Sequence, residues 1–257
     1  MRQPFALTNW KMAMTVAESR VFAERFIALA GDLLSRVEVL ICPPCTALYP
    51  LAQELRGRGV ALGGQDVSPF SDAAHTAQIS AALLADEALG CRYVLLGHWE
   101  VRRDRGDDDA RVNAKAHRAL EAGLHPLLAV GEAADRRGEA FSDLERQLPA
   151  LLRGFSAEQA AGAVFMYEPE WTIGVAEPAP QEHIALACEL IRAWLHERYG
   201  AGTADAARII YGGSVTPEYA AELLRAPDID GLGATRRGRD PQSWAQIVRL
   251  IAEAKGR

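Results

Sequence analysis

A single-domain (β/α)8 barrel is the fold predicted for this α/β chain of 257 residues, and three observations predict it. First, eight short apolar runs alternate with longer helical patterns along the whole sequence, which is the arithmetic of eight strand–helix units in about 250 residues. Second, the runs are continuously apolar rather than alternating, as strands covered on both faces must be. Third, the first run is followed by Thr8-Asn9-Trp10-Lys11-Met12, where a doubly wound open sheet would place a glycine-rich phosphate turn. No domain boundary, internal repeat or low-complexity linker interrupts residues 1–257.

Taken in order, the predicted strands are Phe5–Asn9, Val37–Ile41, Val60–Gly63, Tyr93–Leu96, Pro126–Val130, Ala163–Tyr167, Arg208–Tyr211 and Ile229–Leu232. The first helical pattern is Val16–Leu29. Another runs over Asp107–Glu121, opened by three aspartates that suit the positive end of a helix. The clearest spans Gln181–Tyr199, where Ile184, Ala187, Cys188, Ile191, Trp194 and Leu195 fall on one face. The last starts at Asp240-Pro241 and carries Trp244, Ile247, Val248 and Ile251.

Composition removes several classes of function. A formal net charge of −6 gives no footing for a nucleic-acid surface, and Arg236-Arg237-Gly238-Arg239 is a local basic spot on an acidic chain. No apolar run approaches the ~20 residues of a membrane helix, and the N-terminal residues carry no signal-peptide pattern, so a cytoplasmic setting is expected. Cys42-Pro-Pro-Cys45 has redox or zinc spacing but lacks a second pair, and a structural role is expected for it.

A barrel puts its active site at the C-terminal ends of the strands. Those ends read Asn9-Trp10-Lys11, Gly97-His98-Trp99-Glu100, Glu168, Gly212-Gly213-Ser214 and the stretch Gly231–Arg237. Lys11, His98 and Glu168 are a cation, an imidazole and a carboxylate. The acid can take a proton from carbon beside a carbonyl, while the other two steady the enolate oxygen and shuttle a proton between oxygens. That set suits a 1,2-proton shift between an aldose and a ketose. Tyr211-Gly212-Gly213-Ser214-Val215, just before a helix at Pro217, offers backbone N–H groups to a phosphate, and Gly174 offers another. Trp99, Trp171 and Trp194 read as packing residues. Arg236, Arg237 and Arg239 read either as a solvated stretch or, for Arg236, as a substrate contact. A Schiff-base aldolase would want a lysine inside the sixth strand, which has none, and a retired regulatory barrel would have lost Lys11, His98 or Glu168.

The segments Asn9-Trp10-Lys11-Met12, Leu96-Gly97-His98-x-Glu100, Tyr167-Glu168-Pro169-x-Trp171-x-Ile173-Gly174 and Tyr211-Gly212-Gly213-Ser214-Val215 resemble the triosephosphate isomerase family. Cys42-Pro-Pro, Gly64-Gln65-Asp66-Val67-Ser68 and Gly131-Glu132 extend the resemblance over essentially the whole chain. It implies a TIM barrel, a cytoplasmic, cofactor-free and metal-free isomerase of a small phosphorylated sugar in glycolysis and gluconeogenesis, and a homodimer joined through Val67–Ile79. It also implies Glu168 as base, His98 as electrophile, Lys11 as countercharge, and Asn9 and Glu100 in support. Phosphate contacts would come from Gly174, Ser214, Gly213, Thr235 and Arg236. The lid would comprise Pro169, Glu170, Trp171, Thr172, Ile173, Gly174, Val175, Ala176 and Glu177.

The chain departs from the family pattern in four places. Trp99 replaces a serine; Val101 and Gln78 together replace an interface Arg–Glu pair; and Val175-Ala176-Glu177-Pro178 replaces a Thr–Gly–Lys-like hinge. Thr235-Arg236 stands where the family has two glycines. The last change leaves open a related four-carbon substrate such as erythrulose phosphate.

Overall fold

The computed structural model describes residues 2–256. Eight parallel strands close into a barrel in chain order: β1 (Phe5–Asn9), β2 (Glu38–Cys42), β3 (Val60–Gly64), β4 (Cys91–Leu96), β5 (His125–Val130), β6 (Val164–Tyr167), β7 (Arg208–Gly212) and β8 (Gly231–Ala234). Alternate strand residues explain the unbroken apolar runs. Phe5, Leu7, Leu40, Tyr93, Leu95, Leu127, Met166 and Ile210 fill the lumen. Ala6, Val39, Ile41, Val94, Leu128 and Phe165 face the surrounding helices, which include Val16–Ala30, Asp109–Glu121, Gln181–Tyr199 and Pro241–Lys255. Both sets are removed from water, so each strand contributes apolar burial on two faces.

All eight predicted strands agree with the observed ones to within two residues at each end, and only the eighth is off by two at both ends. The eighth is displaced: Ile229 and Asp230 lie before β8, which runs on to Ala234. Leu7 pairs with Gly233 and Thr8 with Ala234, so β1 recruits two residues of weak strand preference into the closure. Asp230 instead works as an anchor, its carboxylate accepting from the Ile209 N–H, from Arg2 and from Arg192. Gly231 has to be glycine, because a Cβ there would strike the Phe5 carbonyl across the β8–β1 seam.

The helices follow the predicted periodicity. Thr15 and Glu18 form a reciprocal capping box that starts Val16–Ala30. Gln181–Tyr199 has the predicted bounds, with Trp194 only half-buried on its edge. Of the three aspartates before Glu121, only Asp108 caps the helix, by accepting the Arg111 N–H at 2.7 Å. Asp107 precedes it and is buried against the buried Lys115 ammonium, 2.5 Å away. Among the described residues no helix is long and apolar enough to cross a membrane.

Candidate active site

β1 ends by throwing Lys11 into the mouth. Lys11 holds a left-handed φ of 52°, and the Asn9 carboxamide oxygen accepts its N–H at 2.9 Å to steady that turn. The Gln65 side chain donates to the Lys11 carbonyl at 2.8 Å and to the Cys42 carbonyl at 3.0 Å, tying the ends of β1 and β2 together. Trp10, between Asn9 and Lys11, does not reach the mouth; it is buried in edge contact with Phe22. Lys11 Nζ donates to Glu100 Oε1 at 2.6 Å, so Glu100 meets the lysine directly and leaves the His98 ring at 3.8 Å.

His98 caps the short helix Trp99–Arg105, its Nδ1 accepting the Glu100 N–H at 3.2 Å. A ring nitrogen that accepts a backbone N–H carries no proton, so Nε2 is the nitrogen that bears one. Nε2 lies 3.4 Å from Glu168 Oε2, and both atoms are buried without a hydrogen-bond partner. Two buried polar atoms left open side by side mark the place where a ligand with its own donor and acceptor would be held.

The loop after β6 is pinned at its start and loose further on. Trp171 Nε1 donates to Glu132 Oε1 at 2.7 Å, and Tyr167 donates to Glu132 Oε2 at 2.8 Å. His183 also contacts this carboxylate at 2.8 Å. Burial alone would push the Glu132 carboxyl up, but the His183, Trp171 and Tyr167 donors hold it below its ordinary value. Thr172 is buried, whereas Gly174, Val175, Ala176 and Glu177 are exposed. The one hydroxyl proton of Ser214 Oγ is shared between the carbonyls of Thr172, 2.9 Å away, and Val175, 2.7 Å away, so its donor is taken up by the loop and its backbone N–H is what remains to meet a ligand. At Gly213 a Cβ would strike the Thr172 side chain, which is why the turn and the loop can touch at all.

A cavity of about 510 Å³ gathers these pieces. Lys11, Glu100 and Glu168 line one side, Gly174, Gly213 and Ser214 another, and Thr235, Arg236, Arg237 and Arg239 the third. A smaller space beneath it touches Asn9, His98, Glu168, Gly233 and Thr235. Every catalytic and phosphate-contact residue expected therefore lines one of these two spaces, with Arg236 exposed on the rim; of the expected lid, Ile173, Gly174, Val175 and Ala176 line the larger one, and Pro169, Glu170, Trp171, Thr172 and Glu177 line neither. The turn Arg237–Arg239 is docked on β1 by a Thr8 Oγ1 bond to the Gly238 carbonyl at 3.0 Å.

Two features were not foreseen. Trp99 is more than a packing residue, because its Nε1 donates to the main-chain carbonyl of Glu168 at 2.9 Å. Glu132 is the hub of the loop's tether; the Gly131-Glu132 dipeptide was visible, but its three donors come from residues far apart in sequence. Cys42 is buried and its thiol pushed far up by burial, Cys45 is exposed, and the two are not bonded.

Carboxylate, protonated ring nitrogen and lysine meeting at the C-terminal mouth of a (β/α)8 barrel define a barrel enzyme with acid–base machinery. The "Triosephosphate isomerase" family model matches residues 4–251. The chain is 42% identical over 259 residues to the triosephosphate isomerase of Symbiobacterium thermophilum, covering 100% of both chains. It is 43% identical over 255 residues to that of Herpetosiphon aurantiacus, covering 97% of this chain and 100% of the relative. The crystal structure of triosephosphate isomerase from Bartonella henselae superposes with a TM-score of 0.85 at 32% identity, over 96% of this chain and 98% of that one. The chain belongs to the triosephosphate isomerase family, a family of isomerases.

Proposed function

We propose that the chain interconverts glyceraldehyde 3-phosphate and dihydroxyacetone phosphate through an enediolate, with Glu168 as the base. The observation that carries this reading is the buried, unpartnered pair of Glu168 Oε2 and His98 Nε2, 3.4 Å apart at the floor of the mouth. A carbonyl compound seated there places its carbon-bound proton against Glu168 and its oxygen against the His98 Nε2–H. Glu168 takes the carbon-bound proton, the ring N–H and the Lys11 charge stabilise the oxygen as it becomes negative, His98 passes the hydroxyl proton from one substrate oxygen to the other, and Glu168 returns its proton to the neighbouring carbon. Asn9 and Glu100 hold Lys11 in place. The phosphate sits between the backbone of Gly174, Gly213 and Ser214 and the turn at Thr235-Arg236, where the Arg236 guanidinium adds a charged grip. Residues 169–177 close over it and exclude water.

A second reading, isomerisation of a four-carbon ketose phosphate, draws on the altered phosphate end, where Thr235 and Arg236 line the cavity. Steady-state assays of wild type and Arg236→Ala with glyceraldehyde 3-phosphate and with the erythrulose phosphates separate the two. The triose reading expects the higher kcat/KM for the triose, and a KM for it raised about 10-fold by Arg236→Ala. A higher kcat/KM for a tetrulose phosphate overturns it.

The chain pairs with a second copy of itself in this proposal. Supporting it are Met12, fully exposed at the site's edge, the exposed Phe70, and residues 70–78 of the loop Val67–Ile79, all exposed except the half-buried His75. A charged triose phosphate substrate supports a cytoplasmic setting.

A further inference from the structure

We propose that Trp99 is a positioning residue for this isomerisation, fixing the direction of the Glu168 carboxylate through the main chain; the proposal rests on Glu168 being the base. The Glu168 N–H donates to the Val130 carbonyl at 2.8 Å, continuing the β5–β6 ladder. Its own carbonyl accepts from Trp99 Nε1 at 2.9 Å. With one peptide plane held on each side of Cα, the Cα–Cβ bond has a single direction, and only the side-chain torsions of Glu168 remain free.

Two further contacts make this a clamp. A Cβ on Gly131 would lie 2.8 Å from the Glu168 carbonyl oxygen and 3.0 Å from Pro169 N, so the end of β5 packs flat against that peptide. On the other side the Trp99 ring is flanked by the Arg102 guanidinium, 5.8 Å from the ring centroid, and Arg102 Nε donates to the Gly97 carbonyl at 2.8 Å. The same short helix thus holds His98 at its start and reaches the base through Trp99. Such an indole bond is not automatic in this fold: the Nε1 atoms of Trp10 and Trp244 are buried without a partner.

The clamp also sits where it separates two movements. Pro169 follows at once, and the loop that would close over substrate begins there. Holding the Glu168–Pro169 peptide from below lets that loop swing without turning the base. The tryptophan offers the carboxylate itself no hydroxyl, and Glu168 Oε2 stays open toward the cavity. The held backbone therefore sets the direction from which the carboxylate reaches substrate, and its side-chain torsions complete the approach.

The test compares wild type with Trp99→Phe, which keeps an aromatic ring and loses the N–H, in steady-state turnover of glyceraldehyde 3-phosphate. A second variant carries benzothienylalanine at position 99, which preserves the fused ring and replaces the N–H by sulfur. Both are expected to lower kcat by about 10- to 100-fold while KM stays within about two-fold, the signature of a misaimed base in an intact binding site. Wild-type kcat in either folded variant overturns the proposal. So does a parallel loss of kcat and KM with a lowered Tm in both, which is the signature of packing alone. A wild-type protein with no turnover of either triose phosphate overturns the isomerase reading and this inference with it, whereas an active wild type with unaffected variants removes the inference only.

Discussion

Glu168→Asp is expected to lower kcat by about 100-fold or more while leaving KM for glyceraldehyde 3-phosphate within about two-fold of its original value. The substitution keeps the charge and withdraws the carboxylate by one methylene. The main chain at Glu168 cannot follow to compensate, because its N–H is bonded to Val130 and its carbonyl to Trp99. Proton transfer from carbon is steeply sensitive to the gap between base and proton, whereas the phosphate contacts lie elsewhere in the cavity and are untouched. Steady-state kinetics in both directions check this, and an unchanged kcat removes Glu168 as the base.

Lys11→Met should lower kcat/KM by about 100- to 1000-fold, divided between a raised KM and a reduced kcat. The lysine lines the same cavity as Glu168, and it faces a substrate that is anionic before reaction and more so in the enediolate. Its removal also leaves Glu100 without the partner it meets at 2.6 Å, placing an unneutralised carboxylate beside the bound anion. Methionine keeps the length of the side chain at a position whose φ of 52° is already demanding, so the change isolates the charge. Lys11→Arg, which keeps the charge with a different reach, is expected to recover part of the loss. Kinetic constants of Lys11→Met within about three-fold of wild type would show that the positive charge is dispensable.

Most of this fold can be read from one sequence, because a barrel of doubly covered strands imposes a strong local signal. Runs such as Val39–Ile41 and Ile209–Tyr211 are apolar at every position, and helices such as Gln181–Tyr199 repeat with a helical period. β8 was harder to place because its register comes from Leu7 and Thr8 across the closure, and Gly233 and Ala234 carry no strand preference of their own. The aspartates before Glu121 looked alike locally. What sends Asp107 inward is Lys115, eight residues on, an ion-pair partner that periodicity does not reveal.

The site divides in the same way. Asn9, Lys11, His98 and Glu168 were legible because the barrel assigns strand ends to one mouth, and each sits at such an end in a short polar motif. Trp99 and Glu132 were not. A tryptophan in place of a serine reads as bulk until its N–H is seen to meet a carbonyl 69 residues away. Glu132 gains meaning only once Tyr167, Trp171 and His183 converge on it. Thr235 and Arg236 broke a familiar pattern; the structure places both in the cavity wall, with the arginine exposed on its rim.

The central claim is that a proton leaves and returns to substrate carbon through a carboxylate in contact with the mouth. Isomerisation of dihydroxyacetone phosphate by the wild-type protein in D2O, followed by proton NMR of the glyceraldehyde 3-phosphate formed, tests it most directly. Deuterium at C2 of the product is the predicted result, since a proton held on Glu168 within the enediolate complex exchanges with solvent before it is returned. Turnover that carries the substrate's own hydrogen to C2 with no solvent deuterium would contradict it, as that outcome belongs to a direct hydride shift.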